Sequence, residues 1–426
     1  MSTSEPGHRR QSGPPSRWRV RPAFVLLHRW VGLVLAGFLV LEGLTGSLLA
    51  FNIQLTRLLN PHLFAAAGAG ATPLTLAQLA ERGEALHPEA VLDYFAEVSD
   101  DRVLLRMQGR RDPVTKADRP IGFKYLVLDP RTGHELGRLT ANFHAAGFVA
   151  NIMPSVYSLH VALALGDVGM WILGIVALIW TIDCFVGFYL TLPAGSGRFW
   201  SRWGRAWLVK ERTSAFRFNF DLHRAGGLWF WVMLLAFAWS AAGLVERSQP
   251  AYNWVMGKVL PYQGPAAGFA AMPSREDQAP TLDWFAAESV GKKLLAQQAA
   301  LQGFKAGKQV GFAYLRDFGI YVYDAETDRP FPRHKIISLM FDADRGTLSA
   351  VDGLPGARVG DAVDDWLRDI HMVRDPVDYL PYRILVCVVG LVVTVLSVTG
   401  VYIWWRKQRG RRAPRHESGE GVASAR

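Results

Sequence analysis

Four stretches of this chain, Ala23 to Phe51, Val168 to Leu192, Gly226 to Val245 and Tyr382 to Trp405, are apolar for long enough to cross a hydrocarbon layer, which takes about 20 residues of helix. Few folds are open to such a chain. Backbone amides in hydrocarbon must be satisfied within their own segment, so the expectation is a bundle of four membrane helices. Two long excursions, roughly Asn52 to Tyr157 and Glu246 to Pro381, separate them and mix acids with bases. Hydrophobic residues make up 50% of the 426, which suits membrane helices joined to water-exposed domains.

The formal charge of +10 is concentrated in three places. Arg9, Arg10, Arg17, Arg19 and Arg21 precede the first span. Arg198, Arg202, Arg205, Lys210, Arg212 and Arg217 lie between the second and third, and Arg406, Lys407, Arg409, Arg411, Arg412 and Arg415 follow the fourth. Such clusters face the cytoplasm. Both termini and the central loop are therefore expected inside, and both excursions in the periplasm of a bacterial inner membrane. The basicity reports topology and calls for no nucleic acid. Cys184 and Cys387 are the two cysteines and both fall within spans, so neither excursion can hold a disulfide. A cleavable signal peptide is not expected, because the first apolar run is long and contains His28-Arg29.

Leu222-His223-Arg224-Ala225-Gly226-Gly227-Leu228 repeats the text of Leu27-His28-Arg29-Trp30-Val31-Gly32-Leu33, so the chain reads as an internal duplication. Each copy has a His-Arg pair at an apolar helix, an excursion, a second histidine and a second apolar helix. Thr75 to Leu86, with capping-box spacing from Thr75 to Gln78, and Leu282 to Leu295 read as helices. Val103 to Met107, Lys124 to Leu128, Gln309 to Tyr314, Ile320 to Tyr323 and Ser338 to Phe341 read as strands. Asp129 to Gly133 and Asp342 to Gly346 read as matching turns. Arg198 to Phe220, with Trp200, Trp203 and Trp207 among basic residues, reads as an interfacial helix on the inner leaflet. The expected division is a basic disordered tail (1–21), helices at 22–51, 158–193, 221–246 and 371–406, small α+β modules at 52–157 and 247–370, a cytoplasmic interfacial segment at 194–220 and a basic tail at 407–426.

Four motifs in order carry a family resemblance: Leu27-His28-Arg29 with Gly32-Leu33 and Thr45-Gly46; Leu159-His160 with Leu165-Gly166 and Gly169; Asp221-Leu222-His223-Arg224 with Gly227-Leu228; and Val398-Thr399-Gly400-Val401-Tyr402 with Trp404-Trp405. From about Pro22 to Lys407 the chain resembles the PepSY-associated transmembrane family, bacterial inner-membrane proteins often linked to iron and siderophore handling. The resemblance implies PepSY-like periplasmic modules and, for some members, haem-dependent reduction of an iron-siderophore. The sequence departs from the pattern at Ala238 to Gly243, where a Thr-Gly exit is usual, and around His371, which lacks the glycines that follow His160.

The histidines sort by side of the membrane. His28 and His223 open spans one and three on the cytoplasmic side; His160 and His371 precede spans two and four on the outer side. Histidines on facing helices are how a bundle supplies both axial ligands to a b-type haem. A lone histidine at a helix end is more often a polar boundary residue, and the repeated context is what favours ligation by His28 and His223. The outer pair stands well before its spans, so it either holds a second haem, with the chain bending back at Pro376 and Pro381, or meets the substrate directly. Arg29 and Arg224 are expected near haem propionates, or else snorkelling to the interface. Asp183 is expected to orient an inner histidine, and Glu42 to pair with Arg383. His62, His87, His134, His144 and His334 read as surface or turn residues. No nucleotide or flavin fingerprint occurs, so electrons must come from a cytoplasmic or quinol donor. The reading is a haem b protein (one haem or two) of the lipid bilayer, passing electrons to a ferric siderophore or other ferric chelate. The alternative is a non-catalytic anchor whose modules bind a periplasmic partner such as a peptidase. A transporter is disfavoured because no span carries a break.

Overall fold

The structure is a computed structural model, and it describes residues 20–65, 72–142, 147–195, 197–264, 279–328, 336–353, 358–373 and 380–412. The expectations placed on Pro376, His144, His334 and most of the two basic tails lie outside them. Three described helices are long and apolar enough to cross a membrane: α1 (Val20–Leu49), α5 (Asp167–Thr191) and a long C-terminal helix that begins at Leu380. Two further apolar helices, α7 (Ala215–Trp229) and α8 (Trp231–Leu244), meet at a bend of 69° and would make a fourth span if taken together. The third apolar stretch is thus broken, contrary to the expectation of uninterrupted spans. Gly226-Gly227, one turn before the break, supply the cause, since paired small residues are where helices kink.

The chain divides into two compact units, one of residues 1–40, 179–234 and 392–426, the other of residues 41–178 and 235–391. In the second unit α2 (Asn52–Leu59) and a 3₁₀ turn (Pro61–Leu63) lead to α3 (Leu76–Leu86), whose first turn is closed by the Thr75–Gln78 capping box. The strands β1 (Ala90–Val98), β2 (Val103–Gly109), β3 (Tyr125–Leu128) and β4 (Glu135–Leu139) then form an antiparallel meander. A second set follows α10 (Trp284–Gln302): β5 (Ala306–Leu315), β6 (Ile320–Thr327), β7 (Ile336–Asp342) and β8 (Leu348–Asp352).

The two meanders join edge to edge. The result is one eight-stranded sheet in the order β4-β3-β2-β1-β5-β6-β7-β8, where the sequence suggested two separate modules. The join is narrow, with Tyr94 of β1 opposite Ala313 of β5. A single core nonetheless runs beneath α3 and α10, with Leu79, Leu105 and Leu126 from one half packed with Phe312, Tyr321, Leu339 and Phe341 from the other. Four short strands under one helix bury little apolar area. Fusing at β1 and β5 enlarges the core and removes two open edges at once.

α4 (Phe148–Ala162) carries His160 and ends in a tight turn with positive φ at Leu163, Ala164 and Gly166, after which α5 starts. The chain passes so close there that a Cβ on Gly169 would lie 1.7 Å from the carbonyl oxygen of Ala162. His160 therefore sits on a separate helix rather than at the head of a 158–193 span. His371 is placed in the same way on α11 (Val359–Met372), ahead of α12 (Leu380–Arg412).

α11 is held by buried polar bonds to α9 (Gln249–Val259). The Tyr252 phenol, fully buried, donates to Asp364 Oδ1 at 2.7 Å, Tyr262 donates to Asn253 Oδ1 at 2.9 Å with Asp364 Oδ2 at 3.3 Å, and Arg368 donates to Oδ2 at 3.1 Å and to the Gly243 carbonyl at 3.1 Å. Burial, followed by the neighbouring Asp364 charge, holds the Tyr252 phenol protonated well above its ordinary range. Asp364→Ala leaves the buried Tyr252 phenol without its acceptor and strips Arg368 of its carboxylate, so it is expected to destabilise the protein by about 3 kcal/mol, seen as a lowered melting temperature in detergent.

The expected interfacial helix over 198–220 is broken as well. It comprises a short α6 (Phe199–Gly204), a 3₁₀ turn (Arg205–Trp207) and an irregular stretch before α7, with Arg212 at φ +49°. Trp203 packs edge-on against Phe188 of α5 at 6.1 Å and donates to Thr191 Oγ1 at 3.3 Å, so this indole packs on the end of α5.

Candidate functional site

Four histidines from four helices form two facing pairs. His28 of α1 and His223 of α7 have ring centroids 6.2 Å apart, tilted by 55°. His28 Nδ1 donates to both carboxylate oxygens of Asp183 on α5, at 2.9 and 3.0 Å. His223 Nδ1 donates to the Leu396 carbonyl on α12 at 2.9 Å and lies 3.1 Å from Thr399 Oγ1, whose own proton goes to the Val395 carbonyl at 2.7 Å.

The second pair follows the same plan. His160 of α4 and His371 of α11 have centroids 6.4 Å apart, tilted by 53°. His160 Nδ1 lies 2.9 Å from Thr45 Oγ1 and 3.0 Å from Glu42 Oε2, both on α1. The Thr45 hydroxyl donates to the Leu41 carbonyl at 2.7 Å, so toward the imidazole its oxygen accepts. His371 Nδ1 lies 2.7 Å from Ser240 Oγ on α8, and the Ser240 hydroxyl is directed to the Phe237 carbonyl at 3.1 Å. The Phe237 ring itself packs on His371 at 5.1 Å.

These partners select one tautomer. Carboxylate, carbonyl and committed hydroxyl oxygens all accept, so each Nδ1 carries the proton and each Nε2 keeps its lone pair. None of the four Nε2 atoms has a hydrogen-bond partner among the described residues. An imidazole nitrogen binds a transition metal at about 2.0–2.1 Å and lies roughly 1.1 Å from its ring centroid, so two imidazoles on opposite sides of one metal have centroids about 6 Å apart. Both pairs stand at that separation. Two imidazoles suit a metal whose remaining positions come from a planar macrocycle.

Glycines clear the space around the rings. A Cβ at Gly187, Gly400 or Gly46 would come within 3.4, 3.2 and 3.1 Å of Cε1 of His28, His223 and His160 respectively. Gly32 and Gly227, each four residues after a histidine and so on the same helix face, have nothing within 4 Å of an added Cβ. One turn along from each histidine of the first pair, the helix is left bare.

The residues singled out in the sequence are distributed as follows. The structure brings together His28 with His223, His160 with His371, and Asp183 with His28. Glu42 meets His160, and Arg383 instead donates to the Ala50 carbonyl at 3.1 Å and Gln54 Oε1 at 3.2 Å, so the expected Glu42–Arg383 pair is replaced. A histidine within reach is the more economical partner for a half-buried acid than an arginine drawn away to a helix end. Arg224 is committed elsewhere: it binds Asp221 Oδ1 at 2.8 Å and the Arg205 and Ala206 carbonyls at 3.1 and 3.2 Å. Arg29 lies over Trp30 at 5.5 Å, with a buried Nε that has no partner among the described residues. His87, read as a surface residue, is buried between Glu89 and Glu135 at 3.2 and 3.0 Å.

Sequence reasoning gave no role to Thr45, Ser240 or Thr399, the hydroxyls behind three of the rings. A signal existed: Thr45 and Ser240 each stand 17 residues after the histidine of their own copy. The odd text at Ala238 to Gly243 therefore keeps the acceptor that matters. No curated protein matches the chain. The family model described as PepSY-associated TM region matches residues 25–407, and the chain belongs to that family.

Proposed function

We propose that this membrane protein holds two b-type haems, one between His28 and His223 and one between His160 and His371, and passes electrons from the cytoplasmic side of a bacterial inner membrane to a periplasmic ferric chelate, a ferric siderophore above all. The observation that carries the reading is the pairing of the four rings in twos, with centroids 6.2 and 6.4 Å apart, every Nδ1 already bound and every Nε2 without a partner among the described residues. A histidine that serves as a polar boundary residue needs no such arrangement. Bound haem would supply a one-electron store at each pair.

The chain's own residues do the rest. Asp183, Thr45, Ser240 and the Leu396 carbonyl fix each ring's tautomer and orientation, which such partners do for metal-bound histidines generally. Gly46, Gly187 and Gly400 keep side chains away from Cε1 of His160, His28 and His223, and Gly32 and Gly227 leave the helix flank bare. Arg29, with its buried unpartnered Nε, is the residue that fits an anionic group of the cofactor; Arg224 is excluded from that task by Asp221.

The basic clusters support both termini and the 194–220 loop facing the cytoplasm, with a four-span bundle and the eight-stranded sheet in the periplasm. A reporter active only in the periplasm is expected to give signal when fused after Gly353 and none when fused after Gly204. The reverse pattern would overturn the direction of transfer. The function itself is tested in sealed vesicles: reductant supplied on the cytoplasmic face should reduce ferric siderophore outside. Protein that binds haem and reduces no ferric chelate would contradict the assigned acceptor.

A further inference from the structure

The two histidines of the first pair are both held through Nδ1 and are backed in different ways. Asp183 and Leu396 each stand four residues ahead of a glycine that meets the ring, Gly187 and Gly400, so they hold corresponding seats on α5 and α12. In one seat both oxygens of a carboxylate accept from His28 Nδ1, at 2.9 and 3.0 Å. In the other, leucine offers no side-chain acceptor, and His223 Nδ1 turns to the backbone carbonyl at 2.9 Å. The Asp183 side chain is 11% exposed, and His28 is its ion-pair partner among the described residues.

A carboxylate in an apolar helix is costly and is retained for a purpose. Tautomer control alone does not require it, because the neutral carbonyl opposite achieves that for His223. What the carboxylate adds is charge. By drawing the Nδ1 proton toward itself it raises the electron density at Nε2, as carboxylate partners of metal-bound histidines do.

We propose that Asp183 is a positioning residue that acts through His28, making it the stronger electron donor of the two imidazoles. A metal held between them is thereby biased toward its oxidised state and the centre becomes a stronger reductant. This deepens the haem reading and rests on it.

Asp183→Asn is the informative variant, since its amide oxygen still accepts from Nδ1 while the charge is gone. In purified, haem-sufficient protein the variant should keep its haem and its low-spin spectrum. The ratio of ferric to ferrous affinity at the centre that His28→Ala removes should fall about tenfold, which raises its midpoint potential by ~59 mV for one electron. Asp183→Glu should restore most of the wild-type potential, and Thr399→Ala, which removes a neutral neighbour, should shift it far less. A haem-independent readout accompanies this. In haem-free protein with ¹⁵N-labelled histidine, the Nδ1 proton assigned by its loss in His28→Ala should be more deshielded than that of His223, and should move upfield in Asp183→Asn. An unchanged potential in a variant that retains haem, or equal Nδ1 proton shifts for the two rings, would overturn the role of Asp183. Wild-type protein that takes up no haem would overturn the underlying reading, while the proton shifts still report on the Asp183–His28 bond.

Discussion

Replacing His28 and His223 together by alanine is expected to remove one of two haems from the purified protein and to lower affinity at that pair by at least about a hundredfold. Loss of a residue that merely orients a metal-bound histidine already reduces affinity 10- to 100-fold, and here both donors are deleted. The bundle should survive, because alanine is a strong helix former and neither ring belongs to the core beneath α3 and α10. Asp183, left without its His28 partner at 2.9 Å, would account for a modest loss of stability. Haem content per chain, measured as the pyridine haemochrome, is expected to fall from two toward one, and the remaining centre should keep its six-coordinate spectrum. Single replacement of either histidine should convert that pair to a five-coordinate or empty site.

His160→Ala or His371→Ala should have the opposite consequence. Either change removes a donor of the second pair, whose other contacts (Thr45, Glu42, Ser240 and Phe237) lie in the same compact unit. The first pair should stay loaded and reducible from the cytoplasmic side. Reduction of an external ferric chelate should drop to the rate of vesicles lacking the protein, because in the proposed relay donor and acceptor lie on opposite sides of ~30 Å of hydrocarbon, which one centre would not bridge. Stopped-flow oxidation of pre-reduced protein by ferric siderophore reads this out. Fast oxidation in the wild type and none in the variants is the expected result, whereas equal rates in both would show that the second pair is off the path.

Much of this arrangement is legible in the sequence because it is written in short-range signals. Apolar runs announce α1, α5 and α12, and the Asp-x-x-x-Gly turns appear as read, with Gly133 at φ +64° and Gly346 at φ +66°. The pairing of His28 with His223 follows from the alternating direction of the spans together with the repeated His-Arg text. What escaped detection depends on partners distant in the chain. β1 contains Asp93 and Glu97 and shifts register twice against β2, so it lacks a clean alternation. β4 and β8 are short edge strands with exposed residues. The fusion of two meanders through Tyr94 and Ala313 leaves no local mark. The bend between α7 and α8 was hidden within an apolar run that hydropathy reads as continuous, although Gly226-Gly227 marked it. Glu42 was assigned to Arg383 by depth, whereas the return of α4 onto α1 brings His160 to it, and that return depends on a tight turn at Leu163 to Gly166 that hydropathy does not show.

The visible absorption spectrum of purified, haem-sufficient protein, recorded oxidised and reduced, tests the central claim most directly. The four Nε2 lone pairs predict a Soret band that shifts on reduction, the sharp α band of low-spin bis-imidazole b-type haem, and two haems per chain. Protein without a Soret band, or a spectrum that persists unchanged when His28, His160, His223 and His371 are all replaced by alanine, would contradict it.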